Sequence, residues 1–273
     1  MPPPDLLPFA GPEHQPFDLG AGSRGALLVH GFPGTPADVR PVGEELAKNG
    51  WRVCGPLLPG FGRDIANLNR TGRADWLHAI EEAWADLRAS CGPCALLGYS
   101  MGGALALNLA DRLRPDGLTL IAPFWHAPGF LPKLVPLARL VAPTMRPFEK
   151  ADFDDPSVRA QFERVTPGID LDDPEVRDFI RSEFTLPLGA IHEVLRLGRD
   201  AFRRARSVTV PTLVIQGLDD ETIRPADTRR LVKRMRRAPV TYHEVAGGHH
   251  LAHAHSPHRA AVAGLIVDYL ATI

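Results

Sequence analysis

Cys94-Ala95-Leu96-Leu97-Gly98-Tyr99-Ser100-Met101-Gly102-Gly103-Ala104-Leu105-Ala106-Leu107 is the stretch on which the fold turns. The apolar run before Gly98 suits a short buried strand, and the Ala/Leu run after Ser100 suits a helix. Between them, Gly98-Tyr99-Ser100-Met101-Gly102 makes a turn in which the glycines allow close backbone approach. Ser100 then stands at the junction, lifted clear of the sheet edge. It also lies at a helix N-terminus, where amides and the macrodipole favour negative charge. A serine hydroxyl is a weak nucleophile unless a neighbouring base activates it. The rest of the chain is therefore expected to supply a histidine and a carboxylate.

Working outward, strand-like runs alternate with helical patterns. Strands are expected at 25–30, 51–58, 94–98, 117–122, 211–216 and 240–246. Helices are expected at 37–49, 75–90, 100–113 and 257–270. In the second of these helices Trp76, Leu77, Ile80, Trp84 and Leu87 fall at helical spacing. The alternation predicts an α/β fold, a mostly parallel sheet covered on both faces by helices. Residues 123–207 break it. They begin rich in proline and then carry two Asp-Asp-Pro triplets, each an Asp cap before a Pro at the first helical position. A longer helix over 186–207 is expected to turn Leu188, Ile191, Leu195 and Phe202 to one side. The expected organisation is a core of residues 1–122 and 208–273, with 123–207 inserted as a mainly helical lid.

The missing partners lie downstream. Gly217-Leu218-Asp219-Asp220-Glu221-Thr222-Ile223 follows a strand, at the sheet edge that carries the site in open α/β sheets. The spacing Gly217-x-x-Asp220-x-x-Ile223 favours Asp220, with Asp219 the alternative. Gly247-Gly248-His249-His250 follows the last strand; His249 comes directly after the glycines, and His250 is the alternative. A carboxylate there would hold the imidazole in one tautomer and stabilise it when protonated. After the first expected strand, His30-Gly31-Phe32-Pro33-Gly34-Thr35-Pro36 takes the place of an oxyanion loop. The backbone amides of Phe32 and Met101 are the expected donors; Pro33 has no N–H.

The 273 residues hold 31 basic and 32 acidic side chains, a formal charge of −1, with 44% hydrophobic residues. This is an ordinary globular composition, with no global field to recruit nucleic acid or an anionic membrane. The arginine-rich stretches 196–206 and 229–237 lie toward the ends of expected helices, where cations complement the dipole, and read as solvated faces. Three cysteines exclude a disulfide framework. Cys91-Gly92-Pro93-Cys94 has redox spacing, but a helix precedes it and a strand follows, the reverse of a working pair, so it reads as a tight turn. The histidines at 253, 255 and 258 fit no standard zinc spacing, and no metal is expected. The first residues show no secretory pattern, and no stretch approaches a membrane span, so a cytoplasmic protein is expected.

With these residues identified, the chain resembles the small bacterial carboxylesterases and monoacylglycerol lipases of the α/β-hydrolase superfamily. The likeness lies in residues 30–36, Val39-Arg40-Pro41, Asp75-Trp76, 99–103, 220–225 and Gly248-His249, and covers roughly 25–122 and 208–273. The order Ser, Asp, His is the one that superfamily uses. The resemblance implies an acyl-enzyme on Ser100, with His249 as base and then acid, Asp220 orienting it, and no cofactor. It implies a short- to medium-chain acyl ester as substrate, monoacylglycerol among the choices, with water as co-substrate. The acyl group is expected against Phe32, Phe124 and Trp125, close to Met101. Phe61, between Gly60 and Gly62, stands where such esterases often carry histidine, and the lid matches weakly. Other serine-hydrolase reactions (thioester, lactone, amide or C–C cleavage) remain open, as does a non-catalytic binder on the same scaffold.

Overall fold

A computed structural model describes residues 9, 11–129, 131–156, 158–159, 162 and 169–273. Seven strands form the main sheet: β1 (Phe17–Leu19), β2 (Arg24–Val29), β3 (Trp51–Gly55), β4 (Cys94–Tyr99), β5 (Gly117–Ile121), β8 (Thr212–Gly217) and β9 (Val240–Val245). Their order is β1-β3-β2-β4-β5-β8-β9. β1 runs antiparallel to β3 and every other pairing is parallel. The mostly parallel α/β sheet expected from the alternation is present. β1, which the sequence reading missed, is only three residues long, too short to show periodicity.

The central strands β2, β4, β5 and β8 are mostly apolar runs because both faces are covered, whereas β3 and β9 toward the edges are partly polar and half-buried. Ala26 and Leu28 of β2, with Ala95, Leu97 and Tyr99 of β4, join one core. Leu27, Val29 and Leu96 point the other way and join a second core. The period of two in a β-strand makes this division. α1 (Arg40–Lys48) and α8 (Arg259–Leu270) cover the first face. On the other lie α2 (Arg73–Ser90), α3 (Met101–Leu113) and, later in the chain, α6 (Leu188–Arg204). α2 buries Trp76, Ile80, Trp84 and Leu87 as its spacing predicts. Burying each such side chain contributes about 1.5–3 kcal/mol.

The segment between β5 and β8 divides in two. Its first part holds α4 (Leu131–Val141), the short pair β6 (Thr144–Met145) and β7 (Leu186–Pro187), and α5 (Pro174–Glu183). Asp173 caps α5 by accepting from the Glu175 amide at 2.8 Å, with Pro174 at the first position, as the second Asp-Asp-Pro triplet predicts. The helix expected after the first triplet falls largely outside the described residues. Phe153, Phe162, Leu171, Val176 and Ile180 form a small core of this part. The second part, α6, packs on α3 and belongs to the main core, so the separately packed portion ends near residue 187 rather than 207. The buried face of α6 is Ala190, Val194, Leu197, Gly198 and Ala201. Of the expected stripe only Leu188 is buried; Ile191, Leu195 and Phe202 are half-exposed. That face packs on α3, and its Gly198 makes room for Phe124 and the Trp125 backbone.

α7 (Pro225–Val232) completes the chain of helices. Among the described residues, no helix is long and apolar enough to cross a membrane.

Ile80→Ala removes a side chain with no exposure and is expected to cost about 2–5 kcal/mol. Leu137 is 68% exposed, and Leu137→Ala is expected to stay within about 0.5 kcal/mol of wild type. Urea midpoints at constant m-value check both.

Candidate active site

Strand β4 ends at Tyr99 and α3 starts at Met101, so a single residue makes the junction. That residue, Ser100, has φ 52° and ψ −113°, outside the common regions for an L-residue. Three bonds fasten it: its amide donates to Ile121 O at 2.9 Å, and its carbonyl accepts from Phe124 N at 3.0 Å and Ala104 N at 3.3 Å. Side chains at the flanking glycines are impossible. A Cβ on Gly98 would lie 2.3 Å from Gly102 O, and one on Gly102 would lie 2.1 Å from Val29 O.

His249 reaches Ser100 from the loop after β9. Its Nε2 lies 3.1 Å from Ser100 Oγ, and its Nδ1 lies 2.8 Å from Asp220 Oδ2. Of the three adjacent acids only Asp220 is buried; Asp219 and Glu221 are exposed. Asp219 accepts instead from the Gly247 amide at 3.3 Å. His250 faces Tyr99 OH, 3.1 Å from its Nδ1. The structure thus brings together Ser100, His249 and Asp220, and neither alternative.

Asp220 is fully occupied as an anion. Oδ1 accepts from the amides of Thr222 at 2.9 Å and Ile223 at 2.7 Å. Oδ2 accepts from Gln216 Nε2 at 3.1 Å as well as from His249. Burial pushes this carboxyl up, but the His249, Ile223 and Gln216 contacts outweigh it and hold Asp220 below its ordinary value. Gln216 escaped the sequence reading. It is a polar residue inside the apolar strand Thr212–Gly217, and its Oε1 accepts from Thr228 Oγ1 at 2.6 Å. A buried amide one turn before an acid loop is the signal that could have found it.

This geometry lets an imidazole take the hydroxyl proton while the carboxylate fixes the Nδ1–H tautomer. Ser100 opens into a cleft of about 620 Å³. Phe32 lines it, while the Met101 side chain is buried in the core below, leaving only its backbone at the head of α3. Phe124 and Trp125 do not line the cleft, a correction to the expected pocket. Trp125 stacks on Phe202 at 4.3 Å and 19°, and its Nε1 donates to Asp227 O at 3.0 Å. Phe124 packs against α6 at Gly198, where a Cβ would come within 2.7 Å of its ring. The apolar wall comes instead from Phe9, Pro147, Phe148, Phe162, Phe184 and Leu186.

The loop opening at His30 is anchored by that residue. His30 Nδ1 lies 2.9 Å from Gly31 O and Nε2 lies 3.2 Å from the Leu58 amide. Only the neutral ring with its proton on Nδ1 satisfies both. Burial lowers His30 from 6.5 to about 4. His14, beside Thr35 on the same loop, is lowered by burial too. Cys91 and Cys94 are free and buried at the α2–β4 turn; burial raises the Cys94 thiol. Among the described residues, no three His, Cys, Asp or Glu side chains are grouped to hold a metal ion.

Residues 24–256 match the profile of a hydrolase family described as serine aminopeptidase, S33. The chain belongs to that family. It is 43% identical over 102 residues to a thermostable monoacylglycerol lipase of Bacillus sp. (strain H-257), covering 37% of this chain and 40% of the relative. A monoacylglycerol lipase of Mycolicibacterium smegmatis is 28% identical over 245 residues, 80% of each chain. The first relatives are thus matched over less than half their length. The metagenome-derived lipolytic enzymes LipS and LipT give a solved structure with TM-score 0.77 at 20% identity, covering 96% and 99% of the chains. A Paleococcus ferrophilus monoacylglycerol lipase gives 0.70 at 18%, covering 94% and 98%. These likenesses establish the α/β-hydrolase fold for this member of the family.

Below its ordinary value of 6.5 the unfolded chain binds a proton at His30 that the folded chain refuses until about pH 4. Stability is therefore expected to fall as pH drops through that window, by about 3 kcal/mol at most from this group. Urea unfolding across the window should show a flatter slope in His30→Gln; an unchanged slope would sink this assignment.

Proposed function

We propose that this protein hydrolyses carboxylic esters through an acyl-enzyme on Ser100. The observation that carries the reading is the unbroken contact from Ser100 Oγ through His249 to Asp220 at the floor of an apolar cleft. His249 takes the Ser100 proton as Oγ attacks the ester carbonyl. The amides of Phe32 and Met101 receive the developing oxyanion; a single such donor is worth roughly 3–4 kcal/mol. His249 then protonates the leaving alkoxide. Water, deprotonated by the same imidazole, attacks the acyl-enzyme and releases the acid. Asp220 stays ionised throughout and balances the imidazolium charge.

Short- to medium-chain acyl groups suit the cleft, because Phe148, Phe162, Phe184 and Leu186 offer an apolar wall. These come from the insertion, which acts in this reading as a cap over the substrate. The names of the lipase relatives support an ester, with monoacylglycerol among the candidates. A second reading rests on Glu13 and Glu44, which also line the cleft. A carboxylate there would hold a free α-ammonium group, in keeping with the family's aminopeptidase description.

Hydrolysis of p-nitrophenyl esters from acetyl to palmitoyl separates these readings when run beside aminoacyl p-nitroanilides. Ester turnover is expected to peak at short to medium chains and to fall by about three decades or more in Ser100→Ala. Equal activity in the variant would remove Ser100 from the chemistry. Anilide turnover exceeding ester turnover would favour the peptidase, and turnover of neither together with no labelling of Ser100 by a fluorophosphonate would leave a binder.

A further inference from the structure

The two arginine-rich stretches, some thirty residues apart in sequence, meet in space. The end of α6 and the end of α7 with its following turn border an open hollow of about 470 Å³. Phe202, Arg206, Arg230, Lys233, Arg234 and Arg236 line it: five cations, one aromatic ring and no acid. None of these residues lines the cleft at Ser100. We propose that this hollow is a binding site for a small solute carrying two or more phosphate charges. The inference is independent of the ester-hydrolase reading.

Charge pairing stops at the rim. On the same elements Arg203 pairs with Asp200, Arg224 with Asp227 and Arg229 with Glu244. Among the described residues, none of the five lining cations has such an ion pair. Helix dipoles account for cations near C-termini, but they do not gather five into one concavity of a chain whose net charge is −1. Like charges so placed repel, and a bound polyanion relieves that repulsion.

Two of the guanidinium groups are held in position. Arg234 Nε donates to Phe202 O at 2.6 Å, and its guanidinium lies 4.6 Å from the Phe202 ring centre. Arg230 lies 5.3 Å from the Trp125 ring centre and 5.6 Å from that of Phe202. Trp125 and Phe202 are stacked, and the Trp125 indole N–H is bonded to Asp227 O. This platform orients both groups while leaving the terminal nitrogens of Arg234 without a partner among the described residues. Planar forks fixed in this way match phosphate oxygens, and cation–π contact supports them without using those donors. The aromatic faces are already covered, so the ligand is recognised by its phosphates.

Calorimetric titration of the full chain with sodium pyrophosphate at low salt tests the site. Saturable one-to-one binding is expected, weakened at least tenfold in Lys233→Gln/Arg236→Gln and in Arg230→Gln. Arg203→Gln, outside the hollow, should bind as wild type, and ester hydrolysis should be unchanged in all variants. Lys233 and Arg236 are exposed, so the double variant is expected to fold even if Arg230→Gln does not. Absence of saturable binding, or equal loss in Arg203→Gln, overturns the proposal. Tighter binding to phosphatidylserine vesicles or to a short DNA duplex than to pyrophosphate overturns it in favour of those surfaces.

Discussion

A serine with φ 52° and ψ −113° is a strained residue, and the architecture around it exists in a form that supports that strain. The Ser100 amide donates to Ile121 O at the end of β5, and its carbonyl accepts from Phe124 N just beyond. β4 must therefore lie beside β5, which the parallel register of Ala95 with Gly117 through Tyr99 with Ile121 secures. On the other side, Gly102 packs within a side chain's reach of the β2 carbonyls, so β2 must end beside the turn. Three central strands thus converge on one dihedral pair. The free energy that holds it comes from burial of the strands between two helical layers rather than from anything in the turn.

The same economy of position applies to Asp220. A buried carboxylate is costly unless its lone pairs are used. Here two loop amides, Gln216 and His249 use all of them. Gln216 is placed by β8 and Thr228 by α7, so the acid is oriented by the sheet and helix, with little left to the loop. His249 is different: it sits on a turn reached through Gly247, which has φ 109°. Rigid acid, rigid serine and a loop-borne histidine form a sensible division, because in the proposed cycle the imidazole alone exchanges protons with both the alcohol and the water.

The apolar lining of the cleft comes from elsewhere in the chain. The apolar wall is assembled from residue 9 at one end of the sequence and from residues 147–186 in the insertion. Neither segment matches the resemblance closely. In the proposed reading the core carries the reacting groups, and the insertion and N-terminal segment contribute most of the apolar wall of the cleft. Phe124 and Trp125 instead serve packing: the Phe124 ring lies against α6 at Gly198, and the Trp125 ring stacks on Phe202.

Sequence alone determined the features that are local. The strand–turn–helix around Ser100, the Gly-x-x-Asp-x-x-Ile acid loop and the Gly-Gly-His placement each need only a few neighbouring residues, since tight turns restrict which side chains fit. The central strands were legible because strands buried on both faces are mostly apolar runs, while β1 was too short to show a pattern. Tertiary structure decided what depends on distant partners. The choice of Asp220 over Asp219 follows from which carboxylate is buried beside His249 and Gln216. The buried face of α6 went to Ala190, Val194, Leu197, Gly198 and Ala201 rather than to Ile191, Leu195 and Phe202, because which side faces the core is set by where α3 and the segment at Phe124 lie. The gathering of two basic stretches into one hollow could not be read from either stretch, since helical periodicity says which way a side chain points but not which other helix it will meet.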